Sequence, residues 1–313
     1  MFLENSRLRS EAVLTHLPVL CSEVAEYLKP EDGGVYVDCT AGLGGHMAFL
    51  LEQFPGIKKI IGFDCDRAAL EKAAERLESF GERARLVNSS YTDVPEMLAA
   101  ENAGKVNGIL LDAGLSSFQL EHSGRGFSFQ KDEPLDMRMD TDSHVTAADM
   151  VNRLTEESLS DIIRIYGEER WAKKIAARIV ERRRIKKVKT SAELAEIVAS
   201  AIPRRFHPRR IHPATRTFQG LRIAVNRELD NLKEAISRLP ACLEPGGRIC
   251  VISFHSLEDR IVKHGFRNDE RLQVITKRPV MAGEKEREVN PRARSAKLRC
   301  AMLKEESNEK RGN

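Results

Sequence analysis

Residues 35–46, VYVDCTAGLGGH, decide the fold of this 313-residue chain. The apolar run from Val35 to Cys39 predicts a buried strand, and a helical pattern begins directly after the glycines. A glycine-rich turn between a strand and its helix lets a ligand approach the backbone and leaves free N–H groups beside it. The spacing departs from the dinucleotide fingerprint G-x-G-x-x-G, so the turn alone does not identify the ligand.

The same alternation continues on the C-terminal side of this stretch. Buried-strand runs are predicted at residues 60–64, 84–87 and 109–112, with amphipathic stretches near 45–53, 66–79 and 92–103. Strands separated by helix-length patterns predict βαβ units and a parallel sheet covered on both faces. A Pro-Gly-Gly turn at 245–247 leads into another buried run at 248–254, and strand-like segments at 272–275 and 298–303 close the chain.

The alternation of strand and helix patterns stops between about Gly124 and Arg222, where the sequence patterns are helical and no apolar run predicts a strand. The apolar side of a helical wheel holds Trp171, Ala172, Ile175, Ala176 and Ile179. Further helices are predicted from Ser191 to Ile202 and from Val225 to Leu239. We therefore predict an α/β domain formed by residues 1–124 and 223–313, interrupted by a helical insertion at 125–222.

Charge is concentrated in the predicted insertion. Residues 164–222 hold 17 Lys and Arg against 5 Asp and Glu, a balance of +12, whereas the whole chain carries only +4. Such asymmetry favours a lobe that meets a polyanion, although a solvated helical surface is the alternative. The arginines that occur without an intervening acid are Arg204, Arg205, Arg209, Arg210, Arg216 and Arg222.

Composition excludes several classes of protein. No apolar run approaches the ~20 residues of a membrane span. The charged residues 1–16 do not resemble a signal peptide, so we expect no export. The six cysteines are scattered without a C-x-x-C pair, which favours reduced core thiols in a cytoplasmic protein over a disulfide framework or a zinc cluster. No histidine pair has helix-face spacing beside carboxylates, so we expect no metal.

A second carboxylate signal accompanies the glycine turn. Asp64 ends the second predicted strand, 20 residues after Gly44, where a carboxylate can accept both ribose hydroxyls of an adenosine. Enzymes that use NAD and those that use S-adenosylmethionine share this arrangement. Asp38 ends the first strand, Tyr91 follows the third and Asp112 ends the fourth, so all three are expected at the same edge of the sheet as Asp64. Tyr91 covers an adenine face or packs as a loop aromatic, and Asp112 is a site residue or a helix cap.

Longer motifs carry a family resemblance. TAGLGGH, LLDAGLSSFQL, RGFSF, PLDMRMD, YGEER, HPATRTFQGLRIAVN, ISFHSLEDR and NPRARS occur in this order. Together they resemble the bacterial ribosomal RNA small subunit methyltransferase H family, also called MraW, from Thr15 to Arg299. The resemblance implies a Rossmann-like class I S-adenosylmethionine methyltransferase with an inserted helical domain. It also implies transfer to the exocyclic amine, N4, of a cytidine in the decoding region of 16S rRNA.

The resemblance also implies the cofactor contacts. They fall on Gly44, Gly45, His46, Asp64, Tyr91, Asp112 and Gln119. The chain departs from the family at Ala113 and Phe118, where Leu and Pro are usual, and at Tyr91, where Phe is common. The stretch from Gly265 to Val280 is shorter than in many relatives. The three substitutions are expected to alter packing around the cofactor without removing a charged contact, whereas the shorter stretch is expected to lack a C-terminal contact. The implied partner is 16S rRNA in the small ribosomal subunit, and a homodimer stays open.

Methyl transfer needs an acceptor for the amine proton, and the sequence leaves several candidates. Asp112 and the oxygens of Ser116 and Ser117 lie on one side of the predicted crevice, and Ser253 and His255 follow the fifth core strand on the other. We name His255 and Ser253 as catalytic candidates, although a hydrogen-bonded strand-end histidine is the stronger reading of His255.

Several residues of the insertion are candidate RNA contacts. Phosphates are expected at Arg205, Arg209, Arg210, His212 and Arg216. Phe127 and Phe129 stack on a base or, as the better interpretation, pack in the core. The alternation of Asp136, Arg138 and Asp140 is a substrate-facing edge or a salt-bridge ladder.

Two other functions remain to be weighed. An NAD-type oxidoreductase would use the same turn and Asp64, but the chain lacks the full fingerprint and that function does not explain the basic insertion. A non-catalytic RNA-binding assembly factor would need no intact pocket, whereas Gly44, Asp64 and Asp112 are all present.

Overall fold

A computed structural model describes residues 18–100, 104–209 and 211–305 of the chain. Residues 15–17, where the family resemblance begins, lie outside the described residues, as do Arg210, the charged tail from 306 and the side chain of Ser117. The strands are β1 Val35–Asp38, β2 Lys59–Asp64, β3 Ala84–Asn88, β4 Val106–Asp112, β5 Leu243–Ser253, β6 Leu272–Val274, β7 Val280–Met281 and β8 Lys297–Leu303.

Helices alternate with the first four strands, and a run of consecutive helices lies between β4 and β5. The helices are α1 Cys21–Leu28, α2 Gly45–Gln53, α3 Arg67–Leu77, α4 Val94–Ala100, α5 Ser117–Glu121, α6 Ala147–Arg153, α7 Glu156–Ile165, α8 Ala172–Ile185, α9 Ser191–Ala201, α10 Thr215–Asn226, α11 Glu228–Arg238, α12 Ser256–Asn268 and α13 Glu284–Val289. None of these helices is long and apolar enough to cross a membrane.

The strands form one sheet in the order β3-β2-β1-β4-β5-β8-β6, with β7 paired to β8. The pairs from β3 to β5 are parallel, and β8 is antiparallel to β5. Both faces are buried, since apolar clusters lie on either side of the central strands. The prediction of a Rossmann-like α/β fold, with a parallel sheet covered on both faces, is therefore confirmed.

Two sequence predictions need correction. The predicted turn at 245–247 lies inside β5, where Gly246 has φ +81° and the register with β4 shifts, so the chain makes a bulge rather than a turn. The predicted helix from Val225 to Leu239 is two helices, because Arg227 adopts φ 51° and ends α10 one residue before α11 begins.

The chain forms two compact units. The first comprises residues 1–114 and 229–313, and contains the sheet. The second comprises residues 115–228 and packs helices around its own apolar cluster, which includes Ile175, Leu194 and Phe218. The unit boundaries lie outside the insertion limits drawn from sequence, since α10 continues past Arg222 and Leu115 packs on the helical cluster.

Candidate cofactor site at the carboxyl edge of the sheet

Three carboxylates lie at the carboxyl ends of neighbouring parallel strands. Asp38, Asp64 and Asp112 are the last residues of β1, β2 and β4. The strand order places β1 between β2 and β4, with Asp38 opposite Gly62 and Leu110. In parallel α/β sheets ligands bind beyond this edge, where the strand order reverses. The structure thus places at one edge the three strand-end carboxylates that the sequence predicts to converge there.

The glycine-rich turn is tied to these carboxylates through its backbone. The N–H of Gly42 donates to Oδ2 of Asp64 at 2.8 Å, and the N–H of Thr40 donates to Oδ1 of Asp38 at 3.0 Å. Thr40 Oγ1 accepts the N–H of Asp112 at 2.7 Å. The turn between β1 and α2 therefore has one conformation, held by the residues of the site itself.

Glycine is required at position 44 for two reasons. The residue has φ +74°, a left-handed conformation that side chains other than glycine rarely adopt. A Cβ there would lie 3.0 Å from Cδ1 of Leu77, which is tighter than most real contacts. Gly45 begins α2 against Pro18, where a Cβ would lie 3.2 Å from the proline Cγ. Both glycines therefore serve the packing of this turn.

Asp64 keeps acceptor capacity after its protein contacts. Its Oδ1 accepts the N–H of Asp66 at 2.9 Å and its Oδ2 accepts that of Gly42. The backbone of Cys65 is a third hydrogen-bonding neighbour of this carboxylate. An ionised carboxylate offers about four lone-pair positions, so acceptor capacity remains for a ribose hydroxyl. Burial raises the pKa of Asp64 to about 6, and the hydrogen bonds from Asp66 and Gly42 oppose that rise.

Asp38 lies at the carboxyl end of β1, where the sequence predicts a carboxylate of the site. It is 1% exposed, and its Oδ2 has no hydrogen-bond partner among the described residues. Burial raises its pKa to about 6, with His46 acting against the rise. Its position just before the glycine turn was the signal, since every strand-end carboxylate of this edge faces the same crevice.

His46 is buried at the start of α2 beside Asp112. Its Nε2 lies 2.9 Å from the carbonyl oxygen of Val19, and because a carbonyl only accepts, Nε2 carries the hydrogen. Nδ1 lies 3.9 Å from Oδ2 of Asp112. Burial lowers the pKa of His46, which favours the neutral ring. His46 is thus a fixed, neutral wall of the site.

Asp112 has the most perturbed carboxyl of the three. Burial raises its pKa to about 7, Arg292 lowers it and Glu258 raises it further. Its Oδ1 has no hydrogen-bond partner among the described residues. A buried acceptor without a donor is costly, so this oxygen is suited to a donor or cation supplied by a ligand.

Arg292 and Phe254 were missed as members of this edge, although both belong to motifs that carry the resemblance. The guanidinium Cζ of Arg292 lies 5.7 Å from the centre of the Phe254 ring. A Cβ on Gly114 would lie 3.4 Å from that ring, so Phe254 borders the loop after Asp112. No spacing rule joins residue 292 to β4; only the fold brings them together.

The remaining cofactor candidates lie in different settings. Tyr91 begins a 3₁₀ turn directly after β3 and packs against the apolar cluster of the first unit. Gln119 belongs to the second unit, where its side chain accepts the N–H of Ser116 at 3.0 Å and the Ser116 hydroxyl accepts the N–H of Gln119. Of the departures from the family, Ala113 is buried, and the Phe118 ring stacks on His122 with centroids 6.4 Å apart.

The catalytic candidates Ser253 and His255 are engaged in local structure. The hydroxyl of Ser253, which is 1% exposed, faces the carbonyl oxygen of Lys297 at 3.5 Å. His255 caps α12: its Nδ1 accepts the N–H of Glu258 at 3.4 Å, and the Glu258 carboxylate accepts the N–H of His255 at 3.2 Å. Its Nε2 lies 3.0 Å from Oε1 of Glu258. These contacts are those of a helix cap.

In the second unit the structure separates the alternatives left by the sequence. Phe127 is buried, and Phe129 packs edge-on against Phe218 at 5.0 Å. Asp136 and Arg138 form an ion pair at 2.6 Å, as in the salt-bridge interpretation. Arg222 is also paired, with Glu228 at 2.8 Å, so it is not an unopposed cation as its sequence surroundings implied.

The basic residues offered to phosphates are mostly exposed. Arg205 and Arg209 are exposed, His212 stacks beside Phe129 at 4.6 Å, and Arg216 donates to the carbonyl oxygen of Glu168 at 3.2 Å. A separate basic cleft on α8 and α9 is lined by Arg178, Arg182, Lys186, Lys187 and Glu193, among others. The second unit therefore presents more than one cationic surface.

Comparisons with known proteins identify the family of the chain. The sequence profile of the MraW methylase family matches residues 13–304. Ribosomal RNA small subunit methyltransferase H of Trichlorobacter lovleyi is 50% identical over 304 residues, which cover 91% of this chain and 97% of that protein. The protein of the same name from Thermotoga neapolitana is 49% identical over 294 residues, covering 93% and 97%. The chain therefore belongs to the MraW methylase family.

Proposed function

We propose that the protein is an S-adenosylmethionine-dependent methyltransferase that methylates N4 of a cytidine in the decoding region of 16S rRNA. The observation that carries the proposal is the carboxylate edge formed by Asp38, Asp64 and Asp112 beside a glycine-rich turn. Family membership supports the reaction, and the relatives named ribosomal RNA small subunit methyltransferase H support the substrate. An oxidoreductase would explain neither the family membership nor the names of these relatives.

The residues of this edge fit the cofactor. S-adenosylmethionine carries ribose hydroxyls, an ammonium group and a sulfonium cation, and the edge offers acceptors of matching kind. Asp64 has acceptor capacity for a ribose hydroxyl, and the unpartnered oxygens of Asp38 and Asp112 are suited to donors or cations. Gly44, Gly45 and His46 shape the turn beneath it. We assign Tyr91 and Gln119 as further contacts on the family pattern.

The bound cofactor supplies an electrophilic methyl group, and the protein has to align the acceptor amine with it. Alignment of two reactants contributes up to ~7–11 kcal/mol to lowering a barrier. The cytidine amine is a weak nucleophile until a proton acceptor draws on one of its hydrogens. The edge of the sheet thus has to hold the cofactor and present one acceptor oxygen.

We propose Asp112 as that proton acceptor. A pKa raised to about 7 by burial suits a base that works near neutral pH, and Oδ1 has no partner among the described residues. The earlier candidates His255 and Ser253 are second choices, since the His255 ring caps α12 and the Ser253 hydroxyl faces a carbonyl. The amine proton would pass to Asp112 as the new N–C bond forms and the sulfur leaves with its electron pair.

The second unit is proposed as the RNA-binding part. Its exposed cations favour binding of a polyanion. We propose that the substrate is the 16S rRNA of the small ribosomal subunit. The protein would then act in the cytoplasm. The substrate is either free 16S rRNA or the assembled small subunit. Methylation assays with each of the two, offered separately, distinguish these forms.

The test is a comparison of 16S rRNA from cells with and without the gene. Mass mapping of modified nucleosides should show one N4-methylated cytidine in the decoding region only when the protein is present, and its return when the gene is restored. An unchanged modification map would contradict the proposed function.

A further inference from the structure

An aromatic pair in the second unit is not used by the function described so far. The rings of Trp171 and Phe206 lie with centroids 5.2 Å apart and planes inclined by 41°. Trp171 is partly buried and packs against the helical core, whereas Phe206 is 37% exposed and is not part of that core. A large ring left at the surface on top of another ring is a feature that folding alone does not require.

Three cations surround this pair. The guanidinium of Arg170 lies 5.6 Å from the Trp171 ring centre and 5.4 Å from that of Phe206. The ammonium of Lys174 lies 4.8 Å from Trp171, and the guanidinium of Arg205 lies 4.8 Å from Phe206. We call these five residues the aromatic platform. All three cations are exposed, and none forms an ion pair with any residue that the structure describes.

Both rings have rigid supports. Trp171 directly precedes α8, and its backbone N–H donates to Oε1 of Glu169 at 2.8 Å. Phe206 ends a 3₁₀ turn over Arg204–Phe206, in which its N–H donates to the carbonyl oxygen of Pro203 at 2.8 Å. The adjacent His207 Nε2 lies 2.9 Å from the carbonyl oxygen of Ile202. A preformed surface of this kind loses little conformational freedom when a ligand binds.

The combination of rings and cations in the aromatic platform favours one kind of polyanionic ligand over others. Exposed ring faces bind flat π-systems by stacking, and arginine planes stack on bases as well. A duplex keeps its bases stacked inside and would engage only the cations. An acidic peptide would pair with the cations and leave the rings uncovered. An unstacked nucleotide uses both, with its base on a ring and its phosphates beside the cations.

We propose that the aromatic platform binds an unpaired nucleobase of single-stranded RNA by stacking on Phe206 and Trp171, with flanking phosphates held by Arg170, Lys174 and Arg205. This inference rests on the proposed function and adds to it a base-binding site that lies in the second unit, whereas the three carboxylates belong to the first. The platform would hold a nucleotide other than the methylated cytidine.

The chain offers a direct probe, because Trp171 is its only tryptophan. Binding of a single-stranded RNA of about ten nucleotides should quench Trp171 fluorescence in a saturable way. An RNA of the same length without bases, which keeps the phosphates, should quench little. Equal quenching by the abasic strand, by a duplex or by polyglutamate would overturn the proposal, because the rings would then not be reading bases.

Variants separate stacking from charge. Phe206→Ala should weaken binding of the single strand roughly tenfold, as expected for one lost base stack, without changing the salt dependence. Phe206→Tyr should bind like the parent, and Arg205→Gln should reduce the salt slope by about 0.7. Ile185→Ala, which removes an apolar side chain that is 77% exposed in the same unit, should have no effect. Parental affinity of Phe206→Ala would overturn the assignment.

The outcome is distinguishable from failure of the proposed function. Phe206→Ala leaves the carboxylate edge intact, so it should bind S-adenosylhomocysteine as the parent does. If the parent protein quenches with RNA yet transfers no methyl group, the methyltransferase proposal fails and the platform stands. If the parent methylates rRNA and Phe206→Ala methylates it equally at limiting RNA, the platform proposal fails alone.

Discussion

The proposed sites in the two units differ in the sign of their charge and in its exposure to solvent. In the first, Asp38, Asp64 and Asp112 are buried or partly buried, and burial raises the pKa of each. In the second, Arg170, Lys174 and Arg205 are exposed beside aromatic rings. Crowded, desolvated carboxylates lower stability unless a ligand compensates them, whereas solvated cations cost little. From this contrast we expect the carboxylate edge to bind a cationic small molecule and the exposed cations of the other unit to bind a polyanion in a salt-dependent way.

The largest effect should come from the acceptor oxygen of the carboxylate edge. Asp112→Asn should lower kcat at least about 100-fold, the low end for loss of a general base, and abolish the rise of activity with pH near 7. Steady-state kinetics from pH 5.5 to 9 measure both. Asp230→Asn, an exposed residue in the same unit, serves as control. An unchanged kcat with a raised cofactor KM would confine Asp112 to binding.

The next effect concerns the cationic surface. Arg209→Gln combined with Arg216→Gln should weaken single-stranded RNA binding about tenfold at low salt and reduce the slope of log affinity against log salt by about 1.4. Filter binding between 50 and 300 mM salt gives the slope. The same exchange at Lys187 and Arg182 tests the separate cleft on α8 and α9. A parental slope for the double variant would remove these arginines from the RNA surface.

A smaller effect is expected on the stability of the protein without cofactor. Because the folded-state pKa of Asp112 is raised to about 7 from 3.8, its contribution to stability is present below about pH 4 and is lost as the pH rises through 7. Asp112→Asn should therefore unfold at higher urea concentration than the parent at pH 8. The expected gain is about 1.4 kcal/mol or more, the equivalent of one pKa unit, and little gain is expected near pH 4. A gain that does not depend on pH would contradict the buried carboxylate.

The smallest effect is the difference in unfolding free energy between two glycine substitutions, one outside the glycine turn and one in it. This difference separates the cost of the backbone conformation from the cost of packing. Gly33 and Gly44 have φ +76° and +74°, but a Cβ on Gly33 meets no atom within 4 Å, whereas one on Gly44 lies 3.0 Å from Leu77. Gly33→Ala should lower the free energy of unfolding by about 1 kcal/mol, the cost of the left-handed backbone. Gly44→Ala should lower it by about 1 kcal/mol more because of the contact. Equal losses in chemical denaturation would show that packing adds nothing.

Local pattern was enough to predict the sheet. Val35–Asp38, Lys59–Asp64 and Val106–Asp112 are apolar runs that end in aspartate, so strand and site position follow from the same residues. The bulge at Gly246 could not be predicted, since a Pro-Gly-Gly run looks like a turn when its partner strand is unknown. Contacts between residues that the sequence pattern does not relate could not be predicted either. Arg292 lies beside Phe254 at this edge only because of the fold, and Arg222 forms an ion pair with Glu228 across the end of a helix.

The aromatic platform shows the same limit. Trp171 was placed correctly on the apolar side of a helix pattern, but periodicity says nothing of a ring 35 residues further along the chain, Phe206, that lies against it. The individual arginines were likewise recognised as cations, while their positions over rings are a property of the folded unit.

Calorimetric titration of S-adenosylhomocysteine into the protein tests the central claim most directly. The parent should bind with measurable heat, Asp64→Ala should bind at least tenfold more weakly, and Asp64→Asn should fall between them because it keeps one acceptor oxygen. Circular dichroism has to show that all three proteins are folded. Equal dissociation constants for the parent and Asp64→Ala would contradict the account, because the adenosine would then lie somewhere other than the carboxyl edge of β2.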